Sequence, residues 1–138
     1  MISTRGRYAL RVLTDLALQG EGYTPMRQVA RRQGISLKYL EQIIPVLVRG
    51  GYLQGASGKG GGYRLCRPAK DCRVGDILRL TEGSLAPVAC LAPGATQCDR
   101  RGSCPTYPLW NGLQQVVEQY LNSVTLADLA AGQQPDNQ

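Results

Sequence analysis

Three cysteines, Cys90, Cys98 and Cys104, fall within the fifteen-residue stretch CLAPGATQCDRRGSC. The stretch is rich in glycine and proline and has little else to organise it. Reduced thiols crowded into such a loop are metal ligands or redox-active groups before they are core. Arg100 and Arg101 lie between the second and third thiols and favour thiolate over thiol by lowering its pKa. Zinc is the competing metal reading, but no pair has the Cys-x-x-Cys spacing of a zinc knuckle. Cys66 and Cys72 lie outside the loop and are expected to pack as small apolar residues. Five cysteines are an odd count, and the first twenty residues carry Asp15 and three arginines. Neither suits a secreted disulfide scaffold or a cleaved leader. No histidine is present, which removes Ser-His-Asp and Cys-His nucleophile pairs and every His-bearing zinc site. No catalytic residue is assigned, and the chain reads as a non-enzyme.

A second set of residues has the chemistry of base reading. Between Ser36 and Gly50, the residues Leu37, Leu40, Ile43, Ile44 and Leu47 share one face at 100° per residue. Lys38, Gln42 and Arg49 fall opposite, flanked by Tyr39 and Glu41. Long donors reach guanine acceptors, Gln grips adenine, and a carboxylate accepts from cytosine. Any amphipathic helix has a polar outer face, so the stripe needs its context. Ser36 caps this helix, and Gly34, two residues earlier, suits the left-handed residue of a tight turn. The preceding helix opens at Thr24-Pro25, read as an N-cap followed by proline at the first helical position, and runs to Gln33. Helix, short glycine turn, helix is the helix-turn-helix signature. Pro45 falls in mid-helix and is expected to kink it.

The glycine-rich run YLQGASGKGGGYRLC tests for a phosphate loop and fails. Gly60 stands where the Walker pattern needs Ser or Thr, and Tyr63 occupies the third-glycine position of the dinucleotide pattern. The run reads instead as a hairpin wing, with Lys59 at its tip able to reach phosphates or a minor groove.

The remaining elements position these groups. Residues 7–19 form a first helix with Leu10, Leu13, Leu16 and Ala17 on one face. Residues 73–81 form a short helix, and a loop of roughly twenty residues then carries the three thiols. Pro105 and Pro108 lead into a longer helix ending near Val124. Its apolar set, which includes Leu109, Leu113, Val116, Val117 and Tyr120, is too broad for a lone helix and suggests burial against a partner subunit. TLADLAA adds a turn or two, and residues 132–138 form a frayed tail. The division expected is a winged helix-turn-helix domain over 1–81, a cysteine-bearing sensor loop over 82–104, dimerisation helices over 105–131, and the tail. The fold class is mainly α with a small β-hairpin.

Charge follows the same division. Residues 1–70 hold 12 Lys and Arg against 3 Asp and Glu, a net of +9, whereas residues 71–138 hold 4 against 7, a net of −3. A basic half beside a mildly acidic one describes a polyanion-binding module joined to something else. An apolar fraction of 43% excludes a disordered chain. No apolar run is long enough to span a bilayer, so no membrane role is expected and the location read is cytoplasmic.

These motifs in this order resemble the Rrf-two superfamily of bacterial winged-helix regulators, of the IscR, NsrR and CymR type. The elements that carry the resemblance are STRGRYAL at the start, GISLKYLEQ at 34–42, GKGGGYRL at 58–65 and VGDIL at 74–78. The three-cysteine loop and the ending LW…YLNSVTLADL complete it, so that the resemblance covers residues 2–132. It implies a homodimer with crossed C-terminal helices, reading a palindromic double-stranded operator. The implied DNA-binding residues are Ser36, Lys38, Tyr39, Glu41, Gln42, Arg49 and Lys59. In cluster-binding members three loop cysteines hold a [2Fe–2S] cluster, here Cys90, Cys98 and Cys104. Where IscR-like proteins place a histidine ligand three residues later, this chain has Tyr107. The fourth-ligand candidates are Tyr107, Asp99, Asp15, Cys72 or an exogenous thiol.

The reading is therefore a transcription regulator whose operator binding an iron–sulfur cluster controls. One alternative is a cluster-free regulator of the CymR type, acting through a partner protein or thiol oxidation. The other is a small redox or electron-transfer protein, which would need neither the +9 half nor the Lys38/Gln42/Arg49 stripe.

Overall fold

The computed structural model describes residues 2–91 and 104–132. Its centre is the first helix, α1 (Thr4–Leu18), against which the second, third, fourth and sixth helices and the second wing strand all pack. The reason lies in its sequence: Ala9, Val12, Leu13 and Leu16 are at most 2% exposed, and the small residues Gly6 and Ala9 let neighbours approach closely. A Cβ on Gly6 would stand 2.3 Å from the Glu82 carboxylate. That carboxylate accepts from the Ser3 amide and hydroxyl, at 2.7 and 2.8 Å, while Ser3 caps the helix through Gly6. Two caps explain why α1 starts three residues before the position its apolar spacing suggests.

The two helices of the turn are α2 (Met26–Gln33) and α3 (Leu37–Arg49). Gly34 takes the left-handed conformation expected of it, and Ser36 accepts from the Tyr39 amide as the N-cap. Thr24 does not cap α2. Pro25 holds the cap position without a side-chain hydrogen bond. Thr24 is instead buried and exchanges two backbone hydrogen bonds of 2.9 Å with Tyr63. Sequence spacing cannot see that long-range bridge, and it outcompetes a local cap. Helix α3 is helical throughout Leu37–Arg49, with Pro45 exposed on its outer face.

The wing is an antiparallel hairpin of β1 (Leu53–Ala56) and β2 (Gly62–Leu65), with Leu53 opposite Leu65 and Ala56 opposite Gly62. Past it, a 3-10 turn at Ala69–Asp71 leads to α4 (Val74–Glu82). A second 3-10 turn spans Ala89–Leu91. Then come α5 (Tyr107–Ser123) and α6 (Leu126–Ala131).

Helix α6 is too short to hold itself together. A capping box between Thr125 and Asp128 starts it, and Leu126, fully buried, locks it into the core of α1. The chain entering it is pinned by Val74 donating to the Val124 carbonyl at 2.8 Å and Leu126 to the Cys72 carbonyl at 2.9 Å. Helix α5 differs. It has no buried residue, and Leu109, Leu113, Val116 and Tyr120 are exposed. Its inner side, through Leu121 and Val124, rests on Val74, Leu78 and Leu85.

Candidate nucleic-acid interface

The outer face of α3 presents Lys38, Glu41 and Gln42 to solvent, beside the exposed cap residue Ser36. All four sit within the first two turns, where a recognition helix carries its base contacts. Arg49 is exposed on the same stripe at the helix's last residue, about 10 Å beyond Gln42 at 1.5 Å per residue. The structure therefore groups Ser36, Lys38, Glu41 and Gln42 and leaves Arg49 at the far end. Tyr39 is half-buried. Its ring meets Tyr8 of α1 edge-on, with centroids 5.4 Å apart, and Arg11 stacks on the other tyrosine of the pair. Lys59 is exposed at the wing tip, between Gly58 and Gly60, whose φ values of +84° and +80° make the turn that displays it.

Buried charge fixes the angle at which this face is presented. Asp15 on α1, 3% exposed, accepts from Arg32 and Gln33 at the end of α2. The hydrogen bonds that Arg32 donates to Asp15 hold its guanidinium more firmly protonated. Arg11 adds two further bonds to Gln33, one to its side chain at 3.2 Å and one to its carbonyl. The turn between α2 and α3 is thus tied to α1 by charge-assisted bonds as well as by apolar packing.

A comparable clamp joins α4 to α5. Arg79 donates to Asn122 at 2.6 Å and to Asp76 at 2.9 Å, and Arg73 donates to Asp76 at 3.0 Å. Partial burial pushes the Asp76 carboxyl up, but the hydrogen bonds and charges of Arg79 and Arg73 outweigh it. Its pKa falls below the ordinary carboxylate value.

The cysteines separate into two groups. Cys72 is fully buried in the core with its thiol on the Pro68 carbonyl, and burial pushes that thiol up. Cys66 departs from the expectation of a packed apolar residue. It is exposed, its thiol 3.0 Å from the Gly51 carbonyl, because β2 ends one residue earlier and the chain turns outward. Cys90 lies in the second 3-10 turn and Cys104 just before α5, both half-buried. The Tyr107 amide donates to the Cys104 carbonyl at 3.3 Å, which places the two on one turn. Cys98, Asp99, Arg100 and Arg101 lie outside the described residues. Among the described residues no group of three or more metal-binding side chains gathers, as only two of the three loop thiols are described. Three thiolates nonetheless suit an iron–sulfur cluster as a donor set.

A helix-turn-helix carried on a central helix, with a hairpin wing beside it and a solvent-facing polar stripe on the second helix of the turn, defines a winged-helix DNA-binding protein. The chain belongs to the Rrf2 family, described as an iron-dependent transcriptional regulator, which matches residues 2–132. It is 40% identical over 129 residues to protein rrf2 of Nitratidesulfovibrio vulgaris, across 93% of this chain and 85% of that one. Against the HTH-type transcriptional regulator IscR of Klebsiella pneumoniae the identity is 34%, across 96% and 81%. CymR, the global cysteine regulator of B. subtilis, superposes with a TM-score of 0.82 at 32% identity, covering 97% of this chain and 98% of that one. IscR of T. potens gives 0.81 at 34% identity, covering 100% and 91%. Membership and winged-helix fold stand as the motifs implied, and the chain is a DNA-binding transcription regulator. Among the described residues, no helix is long and apolar enough to cross a membrane.

Proposed function

We propose that this regulator binds a palindromic operator as a homodimer, and that an iron–sulfur cluster on Cys90, Cys98 and Cys104 controls the binding. One observation carries the reading. The thiol-bearing segment leaves from the end of the DNA-binding unit at Cys90 and re-enters at Cys104, at the foot of α5. A change at the thiols therefore acts on the helix that the Arg79–Asn122 bond holds to α4. A [2Fe–2S] cluster would supply a one-electron redox centre there, held by thiolates and one further ligand. Asp15 is a poor fourth ligand, since Arg32 and Gln33 take both its oxygens. Cys72 is a poor one because it is fully buried in the core, with its thiol on the Pro68 carbonyl. Tyr107, Asp99 and an exogenous thiol are the candidates left.

The test is visible absorbance and iron and sulfide content of protein purified without oxygen, followed by titration of upstream DNA with cluster-loaded and cluster-free protein. Different affinities for the two forms are expected. Protein that binds no iron or sulfide yet binds its operator supports the cluster-free reading, which the likeness to CymR favours.

A further inference from the structure

We propose that Arg27 and Arg31 of α2 hold a backbone phosphate of the DNA strand that passes between α2 and the wing. The proposal rests on the reading that α3 enters the major groove, and it adds a contact that the recognition stripe does not contain.

Arg27 and Arg31 stand four residues apart, on one face of α2, and both are exposed. Like charges at this spacing destabilise a helix. Neither has an ion-pair or hydrogen-bond partner among the described residues, whereas their neighbour Arg32 turns inward to Asp15. The first turn of α2 contains no acidic residue, and its cap, Pro25, contributes no side-chain bond. Positive charge has thus accumulated on this face with nothing among the described residues to neutralise it.

The face also borders a shaped space. A notch of about 600 Å³ lies between α2 and the wing, lined by Arg27, Gln28 and Arg31 on one side and the wing glycines on the other, with no acidic residue. At Gly58 and Gly60 the place a Cβ would take is open space, so the wing backbone itself forms that wall. The two sides are fixed relative to each other by the paired Thr24–Tyr63 hydrogen bonds. Gly62, at φ +136°, allows the approach, since a Cβ there would fall 2.2 Å from the Thr24 carbonyl oxygen. Leu37 closes the third side, between the reading residues Ser36 and Lys38. A strand bordering the groove that α3 reads therefore meets the notch, with Lys59 above it at the wing tip. A phosphodiester suits the site: it is anionic, present at every step, and needs no base-specific donor.

Anisotropy titrations over a series of salt concentrations test this, using an operator duplex and a scrambled duplex. The double substitution Arg27→Gln/Arg31→Gln should make the slope of log K against log salt shallower by about 0.9 per protomer, the share of one phosphate, and each single substitution by part of that. The loss should fall on both duplexes alike, leaving their affinity ratio unchanged. Lys70→Gln, in the 3-10 turn after the wing, should keep the wild-type slope. Gln28→Glu separates binding from folding. A carboxylate in the first turn suits the helix dipole, so the melting temperature should hold or rise while both duplexes bind more weakly. The proposal is overturned if the arginine variants keep the wild-type slope, if they change only operator affinity, or if Gln28→Glu binds as wild type. A wild-type slope near zero would instead overturn the DNA-groove reading on which it rests.

Discussion

Arg32 grips the Asp15 carboxylate through two nitrogens, at 3.0 and 2.7 Å, from the end of α2 to the last turn of α1. The acid is 3% exposed and the arginine side chain 37%, so the loss of either partner has unequal effects. Arg32→Ala would leave a buried carboxylate facing Gln33 alone. Breaking a buried pair in that way costs about 3–5 kcal/mol, and the partial exposure of Arg32 places this one at the low end. Urea unfolding of Arg32→Ala should show a loss of about 3 kcal/mol, and Arg32→Lys a smaller one, since lysine cannot match both oxygens. A loss below about 0.5 kcal/mol would mean the pair does not hold the turn in place.

In the sequence Asp15 reads as a charge that speaks against a leader and as a candidate cluster ligand, and its role as the partner of Arg32 is visible only in the fold. The helices of the reading head come from local signals: apolar spacing, Gly34 in the left-handed region, and the Ser36 cap. Each acts over a few residues, and each is where the sequence places it. The contacts that orient those helices join residues far apart in the chain, such as Asp15 with Arg32, Thr24 with Tyr63, and Leu126 with α1. No periodicity encodes such pairs. The same limit explains Cys66, whose exposure depends on where a strand ends, and the notch at Arg27 and Arg31, which exists only once the wing is docked.

Asp76 gives the fold an acid-sensitive joint between α4 and α5. Its folded pKa lies below the unfolded value of about 3.9. The unfolded state therefore binds the proton more readily, and the contribution is fully present above that value. It is lost as pH falls through the folded pKa. Thermal unfolding between pH 7 and pH 2.5 should show Asp76→Asn less stable than wild type at neutral pH, with the gap closing below about pH 4. A gap that stays constant to the lowest pH would assign the effect to shape rather than charge.

On α5, Leu109, Leu113, Val116 and Tyr120 repeat at spacings of four, three and four. All four are exposed, Val116 and Tyr120 at 64% and 65%. That stripe is the a/d pattern of a helix seam, and it refines the expected face: Leu113 and Tyr120 belong to it, whereas Val117 is half-buried. Val116→Asp touches nothing in the core of the protomer, so the single subunit should fold. An aspartate in an apolar seam is an uncompensated charge. Light scattering should then report monomer, with operator affinity lost. A stable dimer from Val116→Asp would exclude this seam.

The cysteine loop can be dissected with its own residues. Cys98 stands between the two described thiols in sequence, and its loss would leave any cluster with two protein thiolates. Cys98→Ala should abolish visible absorbance after anaerobic reconstitution. A carboxylate is already ionised at pH 7, whereas a tyrosine must first give up its proton, so a carboxylate such as that of Asp99 is chemically the better suited of the two oxygen donors. Tyr107→Phe should keep most of the absorbance, and Asp99→Ala should shorten the lifetime of the cluster in air. Non-thiolate ligation should also raise the reduction potential above that of all-cysteine clusters, as histidine does in Rieske centres. If Tyr107→Phe bleaches the protein while Asp99→Ala does not, the phenolate takes the fourth position. If neither variant changes absorbance, potential or lifetime, the ligand comes from outside the chain, and dialysis against thiol-free buffer should then destabilise the cluster.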